Sequence, residues 1–478
     1  MAQPFAQPCD DGVIRAQPCP RAAGREVAPT RKRWVLAACV LASSMAFIDG
    51  SALTVALPAL RADFSASLQD VQWVLNAYVL ALAALTLLGG AIADRYGRAR
   101  TLLWGCAVFA LASIACALAP SLETLIFARL MQGVGAAIMT PASLALIGEV
   151  YPEDERGKAI GTWAAASALT TAGGPLLGGW LTVTFGWEAV FWINPPIAVV
   201  AVAILLRTAP SPHQQDRALD WTGGLILSLA LAALAYWLSG LSPGEGAVHV
   251  STASESGPSM DGTAALVAGV ILLAALAWQQ RRVAHPMLSP ELFASAQFVW
   301  LNLATLFLYG GLSIMFFLLP FHLIEARGLT ATQAGLCLLP FTLLVGVLSR
   351  FAGGLSDTLG ARPVLAIGAA LAAAGHFALS VLSEADLLVG ILLPLTIIGL
   401  GFAALVAPLT SSVMGAVAEE DTGKASGINN TASRIAQLLG VAGAAALAPL
   451  AAGYSLGMAC AAGLCGLGGA AFLMVPKD

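Results

Sequence analysis

The chain consists almost entirely of apolar runs that are long enough to cross a lipid bilayer. A spanning helix needs about 20 mostly apolar residues. Fourteen such runs start near positions 34, 70, 101, 123, 157, 188, 221, 262, 297, 331, 362, 386, 424 and 452. Only 10% of the 478 residues are charged, and unpaired backbone groups are too costly in lipid for anything but helices or closed barrels. The sequence therefore predicts an all-α integral membrane bundle with fourteen spans.

Basic residues are distributed unevenly between the connections. Of the 23 Lys and Arg residues, 19 lie in the two tails and in the alternate loops on their side, whereas Arg61 and Arg327 lie in opposite loops and Arg129 and Arg434 lie inside runs. Cytoplasmic loops carry the excess of basic residues, so we expect both termini in the cytoplasm. Residues 1–33 contain AQP three times and predict a disordered cytoplasmic tail. The first run is expected to remain as a helix.

A short motif occurs twice along the chain. GGAIADRYGRAR at 89–100 follows the second run, and a weaker copy, GGLSDTLGARP, follows the tenth. The copies align Asp94 with Asp357 and Gly97 with Gly360. The chain therefore looks internally duplicated.

The offset between the two copies is 263 residues, which is longer than a six-helix unit at 34–207. We therefore expect a six-helix half at 34–207, an inserted pair of helices with flanking loops at 208–296, and a second six-helix half at 297–478. The polar stretch 242–261 is expected to be a flexible loop. Repeated halves of this kind typify secondary transporters, whose sites lie near the midplane.

An aspartate, Asp49, lies inside the first run, where a charge costs about 2.5 to 3.5 kcal/mol at the bilayer centre. Helical spacing places it on one face with small residues, which pack against other helices: Ala42, Ala46, Ala52 and Ala56. At 1.5 Å per residue, Asp49 lies about 14 Å from the outer end of the first helix, and Arg129 lies about 10 Å from the outer end of the fourth. The two side chains could therefore meet. Either the pair couples transport to protons, or it only fixes the packing.

Five segments make the chain resemble the major facilitator superfamily, and within it the fourteen-helix drug:proton antiporter family. They are DGSALTVALP (49–58), GGAIADRYGRAR (89–100), ARLMQGVGAAIMTP (128–141), AGGPLLGGW (172–180) and GKASGINNTASRIAQLLGVAG (423–443). The resemblance covers about 34–475. The first segment departs from the usual motif, which has Thr and Asn where this chain has Ser51 and Thr54.

The resemblance implies roles for three groups of residues. Asp49 and Arg129 would be the proton-coupling pair. A conformational latch between the halves would comprise Gly90, Asp94, Arg95, Gly97, Arg98, Asp357 and Gly360. The antiporter motif would comprise Gly174, Pro175, Gly178 and Gly179, where a proline bends the helix and glycines allow close approach. Alternatively, the charges of this segment could only set the membrane topology. The second copy of the motif has lost basic residues, so its latch should be weaker.

Candidates for the substrate cavity are polar, aromatic or methionine side chains: Gln72, Asn76, Gln132, Tyr309, Met315 and Phe316. Helix packing or an interfacial aromatic belt is at least as good an explanation for each of them. Asn430 and Arg434 share a face of the thirteenth helix and could bind an anionic group or form a structural network. The ninth to twelfth runs contain no embedded Asp or Glu. Because some relatives that export dications need a second carboxylate there, the resemblance favours neutral, monocationic or anionic amphipathic cargo.

The predicted function is proton-coupled efflux of hydrophobic drugs or an antibiotic-like metabolite. The alternatives are a narrow-range metabolite transporter and a non-transporting membrane sensor or assembly partner. The chain has no phosphate-binding loop motif and no paired catalytic residues, so we expect no enzyme activity and no cofactor besides the proton gradient. The eight cysteines show no metal-ligand spacing. We expect no metal, no nucleic acid partner and a monomer in the cytoplasmic membrane.

Overall fold

The computed structural model describes residues 29–208, 220–239, 260–283, 286, 288, 290–418, 422–448 and 452–475. Throughout these ranges the chain is helical with short connections, as the apolar runs predict. The first helix begins at Pro29, so residues 29–33 belong to it and not to the predicted tail. The rest of that tail and nearly all of the polar 242–261 stretch lie outside the described residues.

We number the helices in chain order and count an interrupted helix once. They are α1 Pro29–Asp63, α2 Leu68–Tyr96, α3 Arg98–Ala117, α4 Leu122–Val150, α5 Glu153–Phe185, α6 Ala189–Trp192 with Asn194–Thr208, α7 Trp221–Ser239, α8 Met260–Gln280, α9 Ala296–Phe321 with a π-helical turn His322–Ala326, α10 Ala331–Cys337 with Leu339–Leu359, α11 Ala361–Val381, α12 Leu393–Gly415 after a π-helical turn Leu388–Leu392, α13 Thr422–Leu447 and α14 Gly453–Met474. A short 3-10 helix, Pro290–Ala294, precedes α9.

Twelve helices of the described part are long and apolar enough to cross a membrane. The two that do not meet this measure are α5 and α13, although they have 33 and 26 residues. Both are rich in glycine and hydroxyl side chains, and α5 begins with a charged turn, which lowers their hydropathy. The structure thus confirms a membrane-capable all-helical bundle, and the count of fourteen spans stays a prediction.

Side-chain bonds define two ends of the bundle. At the end where α1 meets α2, Arg61 donates to Glu325 in the π-helical turn of α9 at 2.8 Å, and Trp187 between α5 and α6 donates to Asp63 at 3.0 Å. At the opposite end, Lys32 in α1 donates to Glu155 in α5 at 3.1 Å. We call these the α1–α2 end and the α2–α3 end.

The packing of the first six helices recurs in the last six. In the first set, α4 packs against α2 and α3, and α1 packs against α5 and α6; in the second set, α12 packs against α10 and α11, and α9 packs against α13 and α14. The two sets meet along two seams, α2 with α13 and α5 with α10. Helix α7 lies on the first seam, against both α2 and α13, and α8 packs against α7.

The duplicated motif adopts the same backbone turn in both places. Gly97 separates α2 from α3 with a φ of 94°, and Gly360 separates α10 from α11 with a φ of 85°. A Cβ atom makes such positive φ values costly, and glycine has none. The glycine of each copy is therefore required by the sharp reversal between two consecutive helices.

Candidate functional site: a buried ionic cluster

Asp49 and Arg129 form an ion pair inside the bundle. The NH1 atom of Arg129 lies 2.5 Å from Oδ2 of Asp49, and neither side chain has any exposed surface. The alanines predicted to share the face of Asp49 are also buried. The stripe of small residues therefore lets α4 and its neighbours approach α1 closely enough for the pair to form.

The second carboxylate oxygen of Asp49 is held by side-chain amides. Gln132 on α4 donates to Oδ1 at 2.8 Å, and Asn194 on α6 donates to it at 3.4 Å. Both amides also donate to the hydroxyl oxygen of Ser113 on α3, at 2.8 and 3.3 Å. Side chains from three other helices thus form one hydrogen-bonded cluster around the carboxylate of α1, and all of them are buried.

The guanidinium of Arg129 is anchored independently of Asp49. Its Nε donates to the carbonyl oxygen of Val74 at 2.9 Å, and NH1 also donates to Oε1 of Gln132 at 2.5 Å. Its Cζ lies 4.4 Å from the ring centre of Tyr78 and 5.7 Å from that of Phe191. Aromatic faces attract cations, most strongly where water is excluded. The positive charge is therefore fixed in place, whereas the carboxylate can lose its charge by taking up a proton.

Two members of this cluster were not among the predicted site residues. Asn194 follows an interruption of α6 at Ile193, where its amide could have satisfied freed backbone groups. The interruption instead carries the Asn194 amide to Asp49 and Ser113. Nothing in the sequence marks Ser113, because a single serine in an apolar helix commonly bonds only to its own backbone.

The segment predicted as a latch lies where α2 turns into α3. Arg98 approaches Asp94 at 3.4 Å and Glu149 at 3.7 Å, and it donates to the carbonyl oxygen of Ala145 at 3.0 Å. These contacts join α2 and α3 to α4. Of the other predicted members, Arg95 lies over the ring of Tyr96 at 5.6 Å, and a side chain at Gly90 would meet Pro141. The side chain of Asp357 lies outside the described part of the structure.

The glycines of the predicted antiporter motif sit where α5 touches two neighbours. A Cβ atom on Gly174 would overlap the hydroxyl of Ser51, and one on Gly178 would lie 2.4 Å from the carbonyl oxygen of Ala52, both on α1. A Cβ on Gly179 would lie 2.3 Å from the carbonyl oxygen of Ala331 on α10. In return, Gly335 on α10 approaches the carbonyl oxygen of Pro175. The motif therefore forms the seam between α5 and α10.

The residues predicted to line a cavity fall into two groups. Gln72, Asn76, Gln132 and Met315 are fully buried, and Met315 belongs to the apolar core. Tyr309 and Phe316 are partly exposed. These two begin and end a chain of edge-to-face aromatic contacts that runs through Phe402 and Phe341, with centroid distances of 6.4, 6.0 and 5.4 Å. The second group forms a continuous aromatic wall.

Three further polar groups lie in the second half of the chain. On α13, NH1 of Arg434 donates to Oε1 of Gln437 at 3.0 Å, and the carbonyl oxygen of Asn430 accepts from Ser433. His376 on α11 is fully buried, and its Nδ1 bonds to the carbonyl of Ala372 at 2.7 Å. Among the described residues, no group of three or more His, Cys, Asp or Glu side chains could hold a metal ion.

These features define a class of protein. Membrane-capable helices in two similarly packed sets, with a buried ion pair in one of them, are the architecture of a secondary membrane transporter. The sequence profile of the Major Facilitator Superfamily matches residues 39–441, and the chain belongs to this superfamily. It is therefore a multi-pass integral membrane transporter and not an enzyme.

The known relatives include drug and antibiotic resistance proteins. The chain is 33% identical to Multidrug resistance protein Stp of Mycobacterium tuberculosis (strain CDC 1551 / Oshkosh), over 83% of this chain and 72% of that protein. It is 31% identical to the Lincomycin resistance protein of Streptomyces lincolnensis, over 88% and 85%. The crystal structure of peptide transporter POT in complex with sulfate shares the fold, with a TM-score of 0.69, 13% identity and coverage of 94% of both chains. The similarity to the two resistance proteins supports efflux transport.

Proposed function

We propose that this protein exports hydrophobic drugs or an antibiotic-like metabolite across the cytoplasmic membrane in exchange for protons. The carboxylate of Asp49 is the group that takes up and releases the proton. The observation that carries the proposal is its complete burial in an ion pair with Arg129. Ionisable residues inside a membrane are costly and are functional by default. The resistance proteins among the relatives favour efflux over uptake.

The fixed position of Arg129 gives the pair a switchable charge. With Asp49 ionised, the two charges balance; once Asp49 is protonated, the cluster carries the single positive charge of Arg129. Its bonds to Val74 and its contact with Tyr78 do not depend on the carboxylate. Protonation therefore releases α1 from α4 without displacing the cation. That release is the step that we assign to proton coupling.

The packing supports alternating access by two halves. We propose fourteen spans with both termini in the cytoplasm, a half at 34–207, an inserted pair of helices within 208–296, and a half at 297–478. In this arrangement the α1–α2 end faces outward. The bond between Arg61 and Glu325 and the seam of α5 with α10 both join the halves there. Both must open when the transporter releases its cargo outside.

The remaining predicted roles follow from the same arrangement. The α2–α3 turn, with Asp94 and Arg98, is a latch at the cytoplasmic end, and Gly360 marks its counterpart. The glycines of α5 seal the outer side against proton leak. We assign the partly exposed Tyr309 and Phe316 to the wall of the cargo cavity.

A proton gradient provides enough free energy for this exchange. One elementary charge that crosses 100 mV is worth about 2.3 kcal/mol. One inward proton therefore supports export of a neutral compound against a roughly fiftyfold concentration ratio.

The test is transport of a panel of dyes and antibiotics into inside-out vesicles with an imposed proton gradient. The parent protein should accumulate at least one compound only while the gradient is present, and Asp49→Asn should abolish that accumulation. The matched control is Asp63→Asn on the same helix, where an exposed carboxylate accepts a bond from Trp187. Gradient-dependent accumulation by Asp49→Asn would exclude this carboxylate as the coupling group. Absence of transport across a broad panel would favour a sensor or a narrow-range transporter.

A further inference from the structure

Arg434 is the one membrane-embedded cation of the described helices that lacks a counter-charge. Asp49 and Arg129 balance each other, whereas no described acidic side chain lies within ion-pair distance of Arg434. Its NH1 is bonded to the neutral amide of Gln437, and its Nε is buried without a hydrogen-bond partner. A buried guanidinium without a balancing charge is strongly unfavourable.

Among the described residues, the ionisable neighbours of Arg434 are phenols and not carboxylates. The titratable groups that act on Arg434 are Tyr78 from α2 and Tyr309 from α9. Arg434 as a whole is not completely buried, although its Nε is. Tyr78 also contacts the ionic cluster, because the Cζ atom of Arg129 lies 4.4 Å from its ring centre.

The depth of Arg434 excludes a lipid headgroup as the missing partner. Arg434 lies in the middle of α13, Thr422–Leu447. At 1.5 Å per residue it is about 18 Å from either helix end. Phospholipid phosphates lie at the membrane surface, so an anion that balances Arg434 would have to enter the bundle as a ligand.

The surface next to this charge is aromatic. Tyr309 begins the wall that continues through Phe402 and Phe341 to Phe316. Such a wall stacks with flat apolar groups, while a guanidinium binds a carboxylate or sulfonate through two parallel hydrogen bonds. Charge and wall together fit a molecule with an aromatic body and one acidic group.

We propose that the cargo of this transporter includes aromatic organic anions and that Arg434 binds their acidic group. The inference rests on the proposed efflux function and names its substrate class. The acidic group supplies the charge that the bundle lacks, and Gln437 holds the guanidinium in position. Asp49 and Arg129 remain free for proton coupling, because they already balance each other.

The test compares two fluorescent probes with the same aromatic body. They are 8-anilinonaphthalene-1-sulfonate, which carries a sulfonate, and N-phenyl-1-naphthylamine, which does not. Binding is measured to the full-length protein in lipid nanodiscs, with empty nanodiscs subtracted. Arg434→Gln should weaken binding of the sulfonate probe about tenfold or more, because it removes a charged hydrogen-bond donor. Binding of the neutral probe should change less than about twofold.

A second variant keeps the arginine and supplies an internal anion. Gln437→Glu places a carboxylate where the amide now accepts from Arg434 at 3.0 Å. Gln437→Glu should weaken binding of the sulfonate probe as strongly as Arg434→Gln does. The control is Arg207→Gln, which removes an exposed positive charge at the end of α6 and should leave both probes unaffected.

An equal loss of binding of both probes in Arg434→Gln would show that Arg434 has a structural role and would overturn the proposal. Unchanged binding of the sulfonate probe would also overturn it. Nanodisc binding needs no gradient. A failure of proton-coupled export in vesicles is therefore distinguishable from a failure of anion recognition.

Discussion

Replacing Arg129 with methionine should destabilise the protein far more than replacing both members of the ion pair. Arg129→Met removes the bonds to Asp49, Gln132 and Val74 and leaves the carboxylate of Asp49 buried without a cation. Removal of one partner of a buried pair typically costs about 3 to 5 kcal/mol. The double variant Asp49→Asn with Arg129→Met leaves no buried charge in the cluster, so we expect it to recover about 1 to 3 kcal/mol of that loss.

The structure provides the assay. Five free cysteines are buried and become reactive only on unfolding: Cys39, Cys106, Cys116, Cys337 and Cys465. Thermal unfolding followed with a thiol-reactive dye therefore reports loss of the bundle, with the exposed Cys460 as a constant background. The free energy of unfolding of the double variant should exceed that of Arg129→Met. If the two single losses simply add in the double variant, the pair contributes no coupling energy, and the reasoning from burial is wrong.

Two further predictions concern the contacts between helices. Gly178→Ala places a Cβ 2.4 Å from the carbonyl oxygen of Ala52 and should lower the free energy of unfolding by about 1 to 3 kcal/mol. The control is Gly173→Ala, whose added Cβ would meet nothing within 4 Å. It should be neutral or slightly stabilising in the same thermal assay. Arg61→Gln should change stability by less than about 1 kcal/mol, because the side chains of its pair with Glu325 are 36% and 42% exposed. Arg61→Gln should nevertheless speed amide hydrogen exchange in the α1–α2 and α9–α10 connections up to about fivefold. Glu325→Gln should speed exchange there equally. Unequal effects of the two variants would show that this pair is not what holds the connections together.

Much of the helical framework could be predicted from hydropathy alone. Each helix begins within five residues of the predicted start when α12 is counted from its π-helical turn at Leu388, because membrane-length apolar runs leave few alternatives. The inward orientation of Asp49 was also predictable, since small residues at helical spacing identify a packing face. The ion pair shows that Asp49 and Arg129 meet, as their similar depths from one side of the membrane would allow.

The composition of the cluster could not be predicted in the same way. Helical periodicity describes one helix at a time, whereas Ser113 and Asn194 join the site through the relative rotation of α3 and α6. Met315 shows the same limit: flexible apolar side chains suit both a cavity and a core, and here Met315 is fully buried. The sequence pattern indicated which residue types to examine but not which of them share a surface.

The position of α7 has a mechanical consequence for the proposed rocking motion. Its side chains Leu227 and Leu231 form one cluster with Ala83 of α2 and Leu438 of α13, so the helix touches both halves at once. Aliphatic contacts have no preferred direction, and they can slide without the loss of a hydrogen bond. The pair α7 and α8 can therefore stay in contact with both proposed halves through sliding aliphatic surfaces, while the opposite seam, α5 with α10, opens and closes.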